Sequence, residues 1–367
     1  MRSDFGVKLK IALIGESHGE FVAGEMSGFP SGFRIDLVKL GAFLARRRGG
    51  QSRFTTPRAE DDIPSFDSGV TLTEDGTVAV TDGGTVSFKI TNNNRRSGDY
   101  SQFWDTPRPS HADYTARLRF GDGIDLRGGG HFSARLTAPL CVMGGICMQW
   151  LEQRGIAIGS HLSSVGRVSD RRFDAVNCGE NDFEAVRNAV FPTLDAVAGE
   201  RMMAEIAEAH SDGDSVGGVV ECAAVGVPAG VGDPLFYGVE NRLAQTVFGL
   251  GGVRGIEFGT GFDGSAMRGS EHNDPFVTDG STIRTRTNHC GGIQGGITDG
   301  MPLIFRVAFK PTASIAREQD TVSLSKMTNE KLRITGRHDP CIAIRALPCV
   351  EAVCAVVLAD MMLGLDE

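Results

Sequence analysis

The 367-residue sequence lacks the short signals that mark several large classes of protein. Its eight cysteines form no C-x-x-C pair and no zinc-type spacing with histidine, so no metal site is expected. They lie mainly in apolar stretches, which indicates reduced cysteines in the core of a cytoplasmic protein. The N-terminal residues include no apolar stretch long enough for a signal peptide. The glycines of 249–255 (GLGGVRG) lack the spacing of the dinucleotide-binding fingerprint.

A basic surface and a membrane-spanning stretch are missing as well. The formal net charge of −9 argues against nucleic acid as a partner, because the phosphate backbone requires a basic face. The most apolar stretch, 341–365, is interrupted by Arg345, Pro348, Glu351 and Asp360. It therefore predicts a buried helix rather than a membrane span. With 41% hydrophobic and 23% charged residues, the composition is typical of a soluble globular protein.

The hydrophobic pattern predicts long helices combined with antiparallel strands. Asp36 can cap a helix that ends at the arginine run 46–48. Short β-rich runs with Asp-Gly turns over 69–92 are typical of antiparallel pairing. Since the chain has no regular βαβ alternation and no internal repeat, the predicted fold class is α+β. Further helices are predicted at 134–153, 182–210 (interrupted at Pro192) and 341–365, and strands at 7–14, 216–226, 254–259 and 301–309.

Glycine is abundant, with 49 residues, many of them beside His, Ser, Thr or Arg. Such clusters allow the backbone to approach a ligand closely. In GESHG (15–19), Ser17 and His18 follow an apolar run, which fits either a turn near the surface or a loop that presents His18 as an acid or base to a ligand. In RRRGGQSRFTTPR (46–58), five arginines within thirteen residues favour an anionic ligand. A solvated helix end is the alternative explanation of that cluster.

Nine segments together carry a resemblance to one family. They are GESHG (15–19), RRRGGQSRFTTPRAEDD (46–62), NRRSGDYS (94–101), RPSHADY (108–114), RGGGHFSAR (127–135), GDSVGGVVE (213–221), TNHCGGIQGGI (287–297), FKPT (309–312) and RHDPCIAIRALPCVEA (337–352). With these residues in this order, the sequence resembles chorismate synthase over nearly its whole length. The resemblance implies a single domain over residues 1–367.

That family converts 5-enolpyruvylshikimate 3-phosphate into chorismate, in the shikimate pathway of aromatic amino acid biosynthesis. The reaction is an anti-1,4-elimination of phosphate that requires reduced FMN without net redox change. The resemblance further implies a β-α-β sandwich, with long central helices between antiparallel sheets, assembled as a homotetramer. No stretch is typical of an added reductase domain, so we expect a separate flavin reductase, with NADPH as an indirect reductant.

Matched motif by motif, the resemblance assigns roles to individual residues. His18 matches the histidine that protonates the departing phosphate, and His111 matches the one that protonates the reduced flavin. Asp339, with Ser17 and Ser133, matches a group that assists proton removal at the flavin. FMN contacts carry over to His131, Phe132, Ser133, Gly251, Gly252, Gly295, Lys310, Pro311, Thr312, Ala313, Ser314 and Arg337. Substrate contacts carry over to His18, Arg47, Arg53, Arg108, Arg135 and Arg337, and Arg47 and Arg53 also match positions assigned to NADP.

The sequence departs from the usual family pattern at several of these positions. Gly49 stands where proline is common, and Ser110 stands where glycine is usual. His131, Phe132 and Leu136 replace arginine, serine and glutamate. These departures bear on the flavin contacts more than on the reaction.

Two other functions are compatible with a site that binds flavin or phosphate. A flavin oxidoreductase consumes reduced nucleotide in proportion to product, whereas a non-catalytic binder of flavin or a phosphorylated ligand releases no phosphate. The intact set of His18, His111 and Asp339 argues against the binder. Three histidines lack motif context and are interpreted as ordinary core or surface residues: His161, His210 and His272.

Overall fold

The computed structural model describes residues 1–50, 60–93, 103–334 and 339–365. The helices in these ranges are α1 (Leu37–Ala45), α2 (Asp113–Phe120), α3 (Thr137–Glu152), α4 (Glu180–Asn188), α5 (Ala196–Ser211), α6 (Val239–Val247), α7 (Gly269–His272) and α8 (Ala343–Leu363). The strands are β1 (Arg2–Phe5), β2 (Lys10–Gly15), β3 (Phe21–Ser27), β4 (Arg34–Asp36), β5 (Ser65–Ser68), β6 (Val70–Leu72), β7 (Val78–Thr81), β8 (Val86–Thr91), β9 (Ala157–Val165), β10 (Val168–Ser169), β11 (Gly218–Val225), β12 (Val253–Phe258), β13 (Phe276–Thr278), β14 (Ile283–Thr285), β15 (Ile293–Gln294), β16 (Ile297–Thr298), β17 (Leu303–Phe309), β18 (Gln319–Ser323) and β19 (Thr328–Leu332).

Two five-stranded sheets form the outer layers, with strand orders β1-β2-β3-β8-β5 and β10-β9-β11-β17-β12. A smaller, three-stranded sheet has the order β4-β7-β6. Neighbouring strands in these sheets run antiparallel. The predicted α+β class is therefore confirmed.

The two long apolar helices α3 and α8 lie between the sheets. Helix α3 packs on β2, β3 and β8 of the first sheet, and α8 packs on β9 and β11 of the second. Both helices are buried on nearly every face, as expected for helices that are apolar all round. By length and composition α8 could cross a membrane, but most of it is buried inside the protein. It is the core helix that the sequence predicts.

Helices α3 and α8 run parallel and touch closely. A methyl group added to Gly144 would lie 2.3 Å from Cβ of Ala352. One turn earlier in both helices, the sulfurs of Cys141 and Cys349 are 3.9 Å apart. Since the contacts advance in the same direction along both helices, their N-terminal ends lie on the same side of the molecule.

Element boundaries differ from the predicted ones where side chains take backbone hydrogen bonds. The strand predicted at 7–14 begins at Lys10, because the amides of residues 7–9 donate to the carboxylate of Asp360. Residues 134–136 form a 3₁₀ turn before α3, and Ser133 Oγ accepts from Arg135 N at its start. The predicted cap at Asp36 is present, with Lys39 N 2.9 Å from its carboxylate.

The cysteines match the reduced core residues that the sequence indicates. All eight are free thiols. Seven of them are buried, and Cys290 is half-buried.

Candidate active site

A cavity of about 770 Å³ lies at the N-terminal ends of α3 and α8. Thr137 and Leu140 of α3 line it, as do Ile342 and Arg345 around the start of α8. A helix N-terminus carries unpaired amides and a positive partial charge, so two parallel helices that end here favour an anionic ligand. The other walls come from β1, β2, the end of α1 and the segments 128–136, 245–254 and 310–314.

A run of three glycines forms one side of the site. Gly128, Gly129 and Gly130 have φ values of 60°, 89° and 55°, which favour glycine. A methyl group on Gly128 would lie 2.4 Å from the ring of His18, and one on Gly129 would lie 3.4 Å from Nε2 of His111. The triglycine segment therefore separates the two predicted catalytic histidines, and its lack of side chains allows both rings to approach it.

Ser17 and His18 lie behind the triglycine segment rather than on the cavity wall. The Ser17 amide donates to the carbonyl of Gly130 at 3.0 Å, which fixes the GESHG turn against the segment. The two side chains are 0% and 4% exposed, and Gly128 lines the cavity in front of them. Their predicted roles thus depend on contact across or around Gly128.

His111 lies on the cavity wall and is held by a buried ion pair. Its Nδ1 is 2.7 Å from an oxygen of Asp113, whose carboxylate also accepts two hydrogen bonds of 2.7 Å from the guanidinium of Arg108. Burial opposes ionisation of Asp113, but the hydrogen bonds from Arg108 and His111 prevail and lower its pKa. With Nδ1–H donated to Asp113, Nε2 of His111 is the nitrogen that can exchange a proton on the side of Gly129.

A second buried carboxylate orients two more of the predicted arginines. Asp62 accepts from Arg47 Nη2 at 2.5 Å and from Arg135 Nη1, and Arg135 is also 2.7 Å from Glu60. Burial disfavours the charged form of Asp62, but the two guanidiniums outweigh it and lower its pKa. Burial in turn lowers the pKa of Arg135. The cations are therefore locked in place before any ligand arrives.

The segment after β17 forms another wall of the cavity. Lys310 Nζ donates to the carbonyl of Ser110 at 2.6 Å, and burial together with Arg254 lowers its pKa. Thr312 Oγ1 donates to the backbone carbonyl of Asp339 at 2.9 Å. The predicted contacts Gly251, Gly252, Lys310, Pro311, Thr312, Ala313, Ser314, His131, Phe132 and Ser133 all line the cavity, as does Asp339.

His131, one of the departures from the family pattern, connects three segments. Its Nδ1 is 2.7 Å from the carbonyl of Gly15, and its Nε2 is 2.8 Å from Oγ of Ser3. The first contact requires a proton on Nδ1, because a carbonyl oxygen can only accept. His131 thereby fixes strand β1 and the GESHG turn to the cavity wall.

Gly295 is a predicted cofactor contact that the structure places away from the cavity. Gly295 lies in the turn between β15 and β16, and this hairpin packs against the segment 232–239 through Val239 N and Gly296 O, 2.9 Å apart. Gly295 does not line the cavity. Arg53 and Arg337 lie outside the described residues.

Residues 9–363 match the model of the chorismate synthase family. This chain belongs to the chorismate synthase family. Chorismate synthase of Thermococcus gammatolerans is 43% identical over 98% of this chain and 97% of its own length. That of Lancefieldella parvula is 41% identical over 99% and 96%. A crystal structure of chorismate synthase aligns with a TM-score of 0.77 and 25% identity, over 98% of this chain and 93% of that one.

Membership of the chorismate synthase family implies a flavin, and the cavity residues fit one. Phe5, Ile11, Leu250 and Ile342 give the cavity an apolar sector suited to a planar ring. Gly252 belongs to this sector, and a methyl group there would lie 2.7 Å from Cδ1 of Ile342. The packing of Gly252 against Ile342 thus leaves little room for a side chain at this position.

The polar sector fits phosphate and carboxylate groups. Within the described part of the chain, Nε of Arg47 and Nε of Arg48 are buried without a hydrogen-bond partner, as is Oγ of Ser17. Arg47, Arg48, Arg108 and Arg135 line the cavity, and arginine is suited to phosphate and carboxylate ligands.

Several residues of the site were not singled out from the sequence. Asp62 and Asp113, which orient the arginines and His111, lie inside the motifs 46–62 and 108–114. Arg345 interrupts the apolar stretch 341–365 and lines the cavity. The signal in the sequence is that each of the three lies inside a motif of the family.

Proposed function

We propose that this protein converts 5-enolpyruvylshikimate 3-phosphate into chorismate by anti-1,4-elimination of phosphate, with reduced FMN bound in the same cavity. The observation that carries the proposal is the convergence of Arg47, Arg108 and Arg135 with His111 on a cavity that also has an apolar sector. The proposed substrate bears two carboxylates and a phosphate. That charge requires several arginines, oriented in advance and partly removed from water.

The carboxylates Asp62 and Asp113 support rigid binding of the substrate. Each holds a guanidinium through charge-assisted hydrogen bonds, so the arginines lose little freedom when the ligand arrives. Arg47 also lines the cavity. We infer that Arg47, Arg108 and Arg135 bind the anionic groups, and that Arg53 and Arg337 add to them.

Two histidines are proposed to move protons at different places. His111, with Nδ1 held by Asp113, exchanges its proton at Nε2 on the cofactor side. His18 donates to the departing phosphate, and the absence of a side chain on Gly128 supports this because the imidazole is separated from the cavity by backbone alone. Ser17, Ser133 and Asp339 are proposed to assist proton removal.

Reduced FMN is proposed to lie along the apolar sector. When bound, it supplies transient electron donation without net redox change. Residues 131–133, 251–252 and 310–314 would hold it and exclude water from its ring, while Lys310 and the helix N-termini compensate negative charge. We further expect a cytoplasmic homotetramer that receives reduced flavin from a separate reductase.

A single-reduction experiment tests this function. Under anaerobic conditions, with FMN reduced once by dithionite, many equivalents of chorismate and phosphate per flavin are expected. One equivalent of product per reductant would instead indicate an oxidoreductase, and flavin binding without phosphate release would indicate a binder. With NADPH and FMN but neither dithionite nor reductase, turnover should be slow or absent.

A further inference from the structure

Arg345, in the first turn of α8, connects two parts of the site. Its Nη1 donates to the carboxylate of Asp339 at 2.7 Å, and its Nε donates to the backbone carbonyl of Arg47 at 2.9 Å. The side chain is 20% exposed and lines the cavity together with both partners. One guanidinium thus spans the distance between the end of α1 and the segment that precedes α8.

The backbone on either side of the Asp339 carboxylate is held by other groups. Thr312 donates to the carbonyl of Asp339 at 2.9 Å, and the amide of Val216 donates to the carbonyl of Pro340 at 2.9 Å. Loss of Arg345 therefore leaves the position of the Asp339 main chain in place. Arg345 contributes directly to the orientation of the carboxylate within the cavity.

Arg345 also fixes the Asp339 carboxylate relative to a predicted substrate ligand. The side chain of Arg47 is held by Asp62 and by Thr137 Oγ1, 3.1 Å away, and its carbonyl is held by Arg345. A planar guanidinium donates in fixed directions from Nε and Nη1, whereas a lysine ammonium is a single point donor. Lysine cannot reach both acceptors in the same geometry.

We propose that Arg345 is a positioning residue that holds the Asp339 carboxylate at a fixed place relative to Arg47 during the elimination. This inference rests on the proposed function, in which Asp339 assists proton removal. Arg345 acts through Asp339 and through the main chain of Arg47. Its loss should therefore slow the chemical step rather than weaken substrate binding.

The test compares Arg345→Lys, Asp339→Asn and the double variant in anaerobic assays with reduced FMN. The control is Arg317→Lys, since Arg317 is an exposed arginine paired with Asp214 away from the cavity. Misplacement of a catalytic group by about 1 Å costs on the order of 10²-fold in rate, so Arg345→Lys should lower kcat by about 10²-fold with KM and thermal stability unchanged. Because both changes act on one group, the double variant should be no slower than Asp339→Asn.

A crystal structure of Arg345→Lys without ligands gives a readout independent of activity. The Asp339 main chain should stay on Thr312 while its carboxylate turns away from its position in the parent. Parental kcat for Arg345→Lys, losses that multiply in the double variant, or an unmoved carboxylate would each overturn the inference. Full activity of Asp339→Asn would overturn it together with the role of Asp339. A parent that forms no chorismate contradicts the proposed function itself, and the crystal structure then decides on Arg345.

Discussion

At the scale of single residues, neighbours in the sequence have different roles because successive side chains leave the backbone in different directions. The arginine run 46–48 predicts one anionic site. Arg46 instead turns into the protein, where its two terminal nitrogens bind both oxygens of the buried Glu351 at 2.5 and 2.8 Å. Arg47 and Arg48 line the cavity. The sequence reveals the cluster, but the direction of each side chain depends on where α1 ends.

Alanine at His18 and at His111 should impair different steps. His111→Ala removes the group beside the cofactor wall, so the spectrum and protonation of the bound reduced flavin should change. His18→Ala should slow phosphate release while leaving the flavin spectrum as in the parent. Each variant is expected to lose about 10²–10⁴-fold in turnover, the usual contribution of a general acid. Rapid-scanning absorbance with phosphate detection separates the two effects.

Thermal unfolding of both histidine variants serves as the control for loss of stability. Near-parental turnover of either variant at saturating reduced FMN would contradict its role. Identical flavin spectra for both variants would contradict the division of labour between them.

The triglycine segment should tolerate no side chain at Gly128. Gly128→Ala places a methyl group 2.4 Å from the His18 ring, so the ring must move and activity should fall sharply. Gly76→Ala is the matched control, because Gly76 has a similar φ of 66° and no heavy atom within 4 Å of the added methyl group. Both substitutions cost about 1–2 kcal/mol of backbone strain.

Turnover and chemical denaturation separate the two contributions to the Gly128 effect. Only Gly128→Ala should lose activity beyond what its stability explains. Equal activity of the two variants would show that the position of His18 does not depend on Gly128.

At the scale of elements, the charges that interrupt the apolar run of α8 explain how it is anchored. Glu351 binds Arg46 and accepts from Ser160 Oγ at 2.7 Å. Asp360 binds Arg242 and the amides of residues 7–9. Periodicity and length predicted α8 within two residues at each end. The partners of Glu351 and Asp360 could not be predicted, because they lie more than a hundred residues away in the chain.

The close contact between α3 and α8 gives a prediction about glycines in helices. Gly144→Ala puts a methyl group 2.3 Å from Cβ of Ala352, so it should destabilise the protein by about 1–3 kcal/mol through overpacking. Gly41→Ala in α1 meets no heavy atom within 4 Å and should stabilise by about 0.5–1 kcal/mol, the ordinary preference of alanine over glycine in a helix.

Denaturant unfolding of the two glycine variants measures both changes in the free energy of unfolding, which we expect to have opposite signs. If Gly144→Ala left the free energy of unfolding unchanged, helices α3 and α8 would have to separate easily. The N-terminal ends of α3 and α8 would then not be held rigidly at the cavity.

At the scale of the whole molecule, the motifs indicate the family and with it the β-α-β sandwich, whereas the order of the strands does not follow from local pattern. Local pattern predicted β2, β6, β7, β8, β11, β12 and β17 but missed others, including β3 and β9. The order β10-β9-β11-β17-β12 depends on pairings between distant segments. The same limit applies to the site. The motifs identified His18 and Gly128 separately, and only the folded chain shows that one lies behind the other. Long-range packing therefore accounts for what the sequence left open.

The buried polar network on the second sheet should govern how stability depends on pH. His161 is 0% exposed, with Nδ1 3.1 Å from Asp170 and Nε2 2.9 Å from Glu221, and Arg306 donates to Glu221 at 3.0 Å. Burial lowers the pKa of His161, but the two carboxylates outweigh it, so its pKa is raised. The pKa values of Asp170 and Glu221 are lowered by the same contacts, against their own burial.

Because these pKa shifts are opposite, stability is lost in two directions: as the pH rises on the alkaline side and as it falls on the acidic side. A raised histidine pKa contributes stability that is complete below the unfolded value of about 6.5 and is lost as the pH rises through the folded pKa. The lowered carboxylate pKa values contribute stability that is present above about pH 4 and is lost as the pH falls further.

The free energy of unfolding of the parent should therefore decline on the alkaline side of pH 6.5, as measured by denaturant titrations at a series of pH values. His161→Gln should lose about 3–5 kcal/mol at neutral pH, because it leaves buried carboxylates less compensated, and it should lack the alkaline decline. His210→Gln, at an exposed position of α5, should keep the parental profile. A parental stability that rises between pH 6.5 and 9 would show that His161 is neutral in the folded protein.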